Sequence, residues 1–258
     1  MKNGLLEVEP RNVIKELKGH SGNKVTLVDN HKILYVEKVG DVKRNVERMS
    51  ALYREMYPVP FIYGTDGETW MQMEYIHGLD MKEYLVRENV DRLANFIIKT
   101  IDSLSFSSEL YDYTGVYHQK LDYVDSCDDL PFRKQELIDK LPKMLPRTNY
   151  HGDLTLENII YEERNGFVMI DPVTIEYDSY LFDLAKLRQD LECKWFLRET
   201  DLRLDVKLQN LQEKIFSKFP QTKDDYLLIL MLLRVYRHTE KNDSNRKFIL
   251  KEINRLWK

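Results

Sequence analysis

The chain is poor in cysteine: Cys127 and Cys193 are the only two in 258 residues, so neither a disulfide framework nor a Cys-x-x-Cys motif organises it. One potential pair is weak support for an oxidising compartment, and the expected setting is a reducing cytoplasm. Glycine (10) and proline (8) are scarce, which excludes collagen-like and low-complexity classes. Long apolar runs are missing too. The most apolar, Tyr226–Leu233, is bounded by Asp225 and Arg234 and falls far short of the roughly 20 residues of a membrane span, so it reads as a buried helix face. Met1 to Pro10 carries Lys2, Glu7 and Glu9 and fits neither a secretory signal nor a transit peptide. Positive charge is not in excess: 39 Lys and Arg face 43 Asp and Glu, a net of −4, with no basic field for nucleic acid or anionic lipid. The histidines show no paired zinc spacing, and no Gly-x-Ser-x-Gly hydrolase elbow occurs.

What is present is an ordinary globular composition, 43% hydrophobic and 32% charged, on a chain long enough to bury a core without staples. The first third alternates like a sheet. Val25–Val28 and Ile33–Lys38 flank an Asp29-Asn30 turn, and Phe61–Tyr63 and Trp70–Tyr75 flank Asp66-Gly67. Between them Val42, Val46, Met49, Leu52 and Met56 mark one amphipathic helix. From about residue 77 the pattern turns helical, with Met81–Val86 and then a helix over Asp91–Phe106, capped by Asp91 and expected at the centre of the second part. A third hairpin pairs Ile159–Tyr161 with Phe167–Ile170 across Asn165-Gly166, and helices follow over 181–196, 204–219, 225–238 and 246–257.

The chemistry concentrates around that third hairpin. His151-Gly152-Asp153-Leu154-Thr155-Leu156-Glu157-Asn158 precedes its first strand and Asp171 follows its second. Antiparallel pairing then brings Asn158 and Asp171 out at the same end. An amide and a carboxylate oxygen form a hard donor pair suited to magnesium, which keeps several waters and substrate phosphates in its shell. Asp153, one loop away, can accept a proton. Read singly, each piece is also an ordinary turn or strand edge. Four fixed residues at this spacing arise by chance in roughly one chain of this size in a thousand.

His-Gly-Asp-x4-Asn followed by Ile170-Asp171 resembles the aminoglycoside phosphotransferase and choline kinase-like family, relatives of protein kinases. The resemblance covers roughly residues 19 to 195 and implies an α+β, bilobal protein kinase-like fold: a small antiparallel-sheet N-lobe (1–76) that binds nucleotide and a larger, mainly helical C-lobe (77–258) for catalysis and substrate. It implies that Asp153 is the catalytic base or hydroxyl-orienting carboxylate, that Asn158 and Asp171 bind Mg2+, that His151 supports the loop, and that Asp183 in Asp183-Leu184-Ala185 braces it. In the first lobe it makes Gly19-His20-Ser21-Gly22-Asn23 a phosphate-covering loop, for which a plain turn is the alternative. Lys38 becomes the phosphate-binding lysine, its stem on the apolar face of Leu34 and Val36. Glu47, with Glu55 as rival, would orient Lys38, and the backbone groups of Glu74 and Ile76 would meet adenine.

The implied activity is ATP- and magnesium-dependent transfer of the γ-phosphoryl to a small-molecule hydroxyl, with GTP left open as donor. Pro172 follows the metal aspartate, where antibiotic-modifying members usually carry an aromatic residue; fructosamine and methylthioribose kinases look more like this Ile-Asp-Pro. That favours a sugar or glycan-related acceptor. The acidic run Asp122, Asp125, Asp128 and Asp129 would instead suit an aminoglycoside or amino alcohol. Asp183 arrives twelve residues after Asp171, leaving no room for a peptide-binding activation loop. The alternative of a different class is a nucleotide-binding pseudokinase or regulatory adaptor.

Overall fold

A computed structural model describes residues 12–17, 22–31, 33–106 and 109–258. Its N-terminal part is an antiparallel sheet built from β1 (Asn12–Leu17), β2 (Lys24–Asp29), β3 (Leu34–Val39), helix α1 (Lys43–Arg54), β4 (Ile62–Thr65) and β5 (Trp70–Glu74), with strand order β1-β2-β3-β5-β4. The β2–β3 and β4–β5 hairpins are those their turn residues predict. Asp66 fixes the second turn by accepting the Glu68, Thr69 and Trp70 N–H groups at 2.8–2.9 Å. β1 has no counterpart in the sequence reading: it is an exposed edge strand with a bulge between Val13 and Lys15. In α1, Val42, Met49 and Leu52 are buried as expected, but the helix ends at Arg54 and Met56 stands 89% exposed at positive φ.

The chain then forms β6 (Leu79–Asp80), α2 (Met81–Arg87), α3 (Asp91–Leu104), β7 (Leu110–Asp112), α4 (Thr114–Lys120), α5 (Lys134–Lys140), β8 (Met144–Pro146), β9 (Ile159–Glu162) and β10 (Gly166–Met169). It closes with four helices: α6 (Tyr180–Leu191), α7 (Asp205–Lys218), α8 (Asp225–Tyr236) and α9 (Ser244–Leu256). β6 joins the β9–β10 hairpin in a small sheet, and β7 pairs with β8. Asp91 does not cap α3. Its N–H donates to Asn89 Oδ1 at 3.0 Å, and its carboxylate pairs with Lys214 at 2.8 Å.

The central helix is α6 rather than α3. Every residue from Phe182 to Leu191 is buried, polar ones included, because α3, α7 and α8 pack around it. α3 keeps the one-sided burial its stripe predicts. One apolar cluster runs without a break from the inner face of the first sheet (Val36, Met71, Met73) through α1 and α3 to α6 and α7. A second surrounds α8, in which Leu227–Leu233 are buried on all sides and not along a single face. Among the described residues no helix is long and apolar enough to cross a membrane.

Candidate active site

The loop from His151 to Asn158 is held by one face of α6. Asp183, Lys186 and Asp190 are three and four residues apart, the spacing that aligns side chains on a helix surface. They meet the loop in the same order. Asp183 accepts the His151 N–H at 2.5 Å and the Gly152 N–H at 2.9 Å; Lys186 pairs with Asp153 Oδ1 at 3.2 Å; Asp190 accepts the Leu156 N–H at 2.7 Å. Gly152 sits at φ +93°, and a Cβ there would run into the Val173 carbonyl oxygen, so the tight turn requires glycine. Burial pushes the His151 imidazole towards its neutral form. Its Nδ1 accepts from the Asp153 N–H at 3.3 Å, which leaves the proton on Nε2, 3.1 Å from the Ile170 carbonyl.

Asp153 faces the cleft with its side chain 34% exposed. Burial opposes its ionisation, but Lys186 and Arg234 outweigh that effect and hold the carboxyl below its ordinary range. Asn158 Nδ2 donates to Asp153 Oδ2 at 3.1 Å and to its backbone carbonyl at 2.8 Å, leaving Asn158 Oδ1 without a protein partner among the described residues. Asp171 lies beside it, because Met169 pairs with Ile159 and the Ile170 N–H donates to the Asn158 carbonyl at 2.9 Å. At φ +54° and immediately before proline, Asp171 occupies strained backbone, and such strain persists where surrounding structure imposes it.

Lys38 reaches Asp171 across the cleft. Its buried ammonium donates to Asp171 Oδ1 at 2.6 Å and to Asn45 Oδ1 at 3.1 Å; Asn45 Nδ2 returns to Asp171 Oδ1 at 3.0 Å and to the Pro172 carbonyl at 2.9 Å. The expected pairing of Lys38 with Glu47 is therefore not the one formed. Glu47 lies two residues past Asn45, roughly 200° around the helix, and is exposed. Glu55 is no substitute, since its carboxylate accepts from Asn149. Asp171 Oδ2 has no protein partner among the described residues.

A family model described as the phosphotransferase enzyme family matches residues 31–213, well over half of the chain. The chain belongs to that family. No curated protein matches it. Among solved structures it is similar to a protein assigned as a fructosamine-3-kinase from Haemophilus somnus 129PT, at 14% identity over 96% of this chain and 91% of that one, with a TM-score of 0.63. The aminoglycoside phosphotransferase APH(4)-Ia shares 10% identity over 96% and 94%, with a TM-score of 0.68. Plasmodium vivax ethanolamine kinase shares 12% over 95% and 82%, with a TM-score of 0.58. Likeness at these identities establishes the bilobal, protein kinase-like α+β fold. Thermostable mutants of APH(4)-Ia have been solved with hygromycin B and either ADP or AMP-PNP.

This phosphotransferase has a cleft of about 860 Å³, lined from the sheet by Val25, Val36, Lys38 and Met73, and from the helical part by Asp153, Asn158 and Asp171. Glu74 and Ile76 line it as well. The Glu74 N–H is committed to the Phe61 carbonyl at 2.8 Å, whereas the N–H of the buried Ile76 has no protein acceptor among the described residues. Gly19 lies outside the described residues; Gly22 takes φ +74° two residues before β2. Four side chains that hold the site escaped the sequence reading: Asn45, Arg48, Lys186 and Asp190. Arg48 donates to the Tyr150 carbonyl at 2.6 Å and also to Asn149, tying α1 to the strand-like entry into the loop. For Lys186 and Asp190 the readable signal is the 183/186/190 spacing, which sets three charged residues on one face of the helix.

Proposed function

We propose that this phosphotransferase moves the γ-phosphoryl of ATP to a hydroxyl of a small molecule, a sugar or glycan-related acceptor, in a magnesium-dependent reaction. One observation carries the reading. Asn158 Oδ1 and Asp171 Oδ2, an amide and a carboxylate oxygen, have no protein partners among the described residues and lie in the same cleft as Lys38 and Asp153. Among the described residues no cluster of three or more His, Cys, Asp or Glu forms a metal cage. An oxygen pair with room for water and phosphate fits magnesium, which takes few protein ligands. The chemistry such an ion supplies is neutralisation of phosphate charge.

The chain's own groups do the rest. Residues 1–76 form the nucleotide lobe and 77–258 the catalytic and acceptor lobe. The Ile76 N–H, with the Glu74 carbonyl, binds adenine where the chain leaves the first sheet after β5, and Gly22 belongs to the loop over the phosphates. Lys38 exchanges part of its contact with Asp171 for phosphate oxygens. Asp153 holds the acceptor hydroxyl in line and takes its proton; a carboxyl kept acidic by Lys186 is a weak base, suited to a proton that leaves late. His151 and Asp183 fix the loop and touch no substrate. The Ile170-Asp171-Pro172 sequence supports a sugar acceptor. Both cysteines are free thiols, which supports a reducing cytoplasm.

The test is magnesium-dependent ADP formation over sugars, aminoglycosides, amino alcohols and glycan fragments, with products weighed by mass spectrometry and GTP tried as second donor. Asp153→Asn is expected to keep AMP-PNP binding and lose turnover by about a hundredfold or more. Near-normal turnover in that variant would refute the role of Asp153. A wild type that fails to bind AMP-PNP with magnesium would overturn phosphoryl transfer itself.

A further inference from the structure

The cleft does not end at Asp153. It continues to the C-terminal end of α8, where Arg234 and Arg237 enter its lining beside Tyr123 and Tyr177. Both guanidinium groups lie over aromatic rings, Arg234 at 5.9 Å from the Tyr177 centroid and Arg237 at 5.2 Å from that of Tyr123. The positive fields of both reach the buried Tyr177 hydroxyl. Arg234 is anchored next to the catalytic carboxylate, since two of its nitrogens donate to the Gly152 carbonyl at 3.2 Å. Its remaining donors, and all those of Arg237, have no carboxylate partner among the described residues. A guanidinium carries five N–H groups in a planar fork, so two such groups offer far more donors than the protein uses.

The nearby carboxylates are already committed. Glu176 pairs with Lys120 at 2.7 Å, and Asp243 caps α9 through the Asn245 N–H at 2.8 Å. Three of the four aspartates in the acidic run expected to draw an amine are committed as well. Asp129 pairs with Arg246 at 2.9 Å, Asp128 with Lys241 at 3.3 Å, and Asp125 accepts the Lys134 N–H at 2.8 Å; none of them lines the cleft. The acceptor end thus presents, beside an aromatic wall, guanidinium donors that no carboxylate occupies among the described residues, with Asp153, already paired with Lys186, as the carboxylate the Arg234 charge acts on.

We infer that the acceptor carries an anionic group, a carboxylate or a phosphate, bound by Arg234 and Arg237 while its hydroxyl lies at Asp153. This rests on the phosphotransferase reading of the cleft and narrows its substrate class. Guanidinium pairs recognise planar or tetrahedral oxyanions by paired hydrogen bonds, and the half-buried Tyr123 ring supplies apolar surface beside them for a sugar-like ring.

The experiment uses the full chain with matched acceptor sets: neutral sugars, their uronic acids, their phosphates and their amino counterparts. Acceptor-dependent ADP release and ligand-observed NMR binding with magnesium and AMP-PNP are read in parallel. Anionic members are expected to exceed neutral partners about tenfold or more in kcat/KM, uronic acids and phosphates separating the two anion types. Arg237→Gln, at an exposed position, should raise KM for the anionic acceptor about tenfold and leave KM for ATP and any neutral acceptor unchanged. Equal or better use of neutral or amino sugars overturns the inference, as does an Arg237→Gln effect that ignores acceptor charge. Failure of every anionic probe to bind or react, while AMP-PNP still binds, overturns it too and leaves phosphoryl transfer standing. Loss of nucleotide binding in the wild type overturns both.

Discussion

Lys38 has a neutral partner where a second carboxylate is the common expectation for this fold, and that changes what its charge does. Asn45 supplies geometry without charge, so among the described residues the one anion paired with the buried ammonium is Asp171 at 2.6 Å. The lysine and the proposed metal-binding carboxylate therefore form one unit, for which phosphate is the competing anion in the proposed reaction. Asp153 is balanced in the same way by Lys186, whose Nζ is 3.2 Å away and whose side chain is 8% exposed. Because Lys186 and Arg234 hold the Asp153 carboxyl below its ordinary range, removing the lysine raises that pKa. If the reaction needs the carboxylate, activity is lost on the acid side as the group protonates. Lys186→Met should therefore move the acid limb of the kcat/KM profile to higher pH, and Lys186→Arg should largely restore it. An unmoved limb with lowered kcat would make Lys186 a packing residue only.

At the scale of elements, what could be read in advance is what local chemistry specifies. Turn residues located the β2–β3, β4–β5 and β9–β10 hairpins, and the last of these fixed which loop ends meet. Apolar stripes located α1, α3 and the four final helices to within a few residues. β1 was not legible, because an edge strand with nearly every residue exposed has no alternation to read. The three-residue strands β7 and β8 and the one-turn connections between helices are too short for any period. The partner of Lys38 was misread for a rotational reason: the burial face of α1 passes through Asn45, Arg48, Met49 and Leu52, and a polar Asn and Arg on that face dilute the stripe. α6 hides its role similarly, since a helix buried all round has little amphipathic contrast. Its importance is testable at Asp183, which satisfies two buried backbone N–H groups at once. Asp183→Ala leaves both without an acceptor and should cost about 3 kcal/mol in urea unfolding. A loss below about 1 kcal/mol would show that the loop reorganises without its brace.

Across the whole molecule, one buried network connects catalysis to stability. The first apolar cluster crosses from the sheet to the helical part, Asn45 and Arg48 tie α1 to both sides of the 151–172 segment, and α6 holds the loop from below. Asp190 is the costly member of this network. It is fully buried, its Oδ1 has no partner among the described residues, and burial pushes its carboxyl up to about 7. In the unfolded chain the same group titrates near 3.8. Between those values the unfolded state releases a proton that the folded state keeps, so the contribution of Asp190 to stability falls as pH rises from about 4 to 7 and is constant above. Asp190→Asn retains an oxygen for the Leu156 N–H and removes the titration. The stability of the variant relative to wild type should thus increase with pH across this window, by about 4 kcal/mol at most, and level off above pH 7. Urea midpoints for both proteins at a series of pH values from 4 to 8 read this directly, with other carboxylates cancelling in the difference. A difference that stays flat with pH would mean that Asp190 is ionised in the folded protein, balanced by Lys186 through the same helix face that braces the loop.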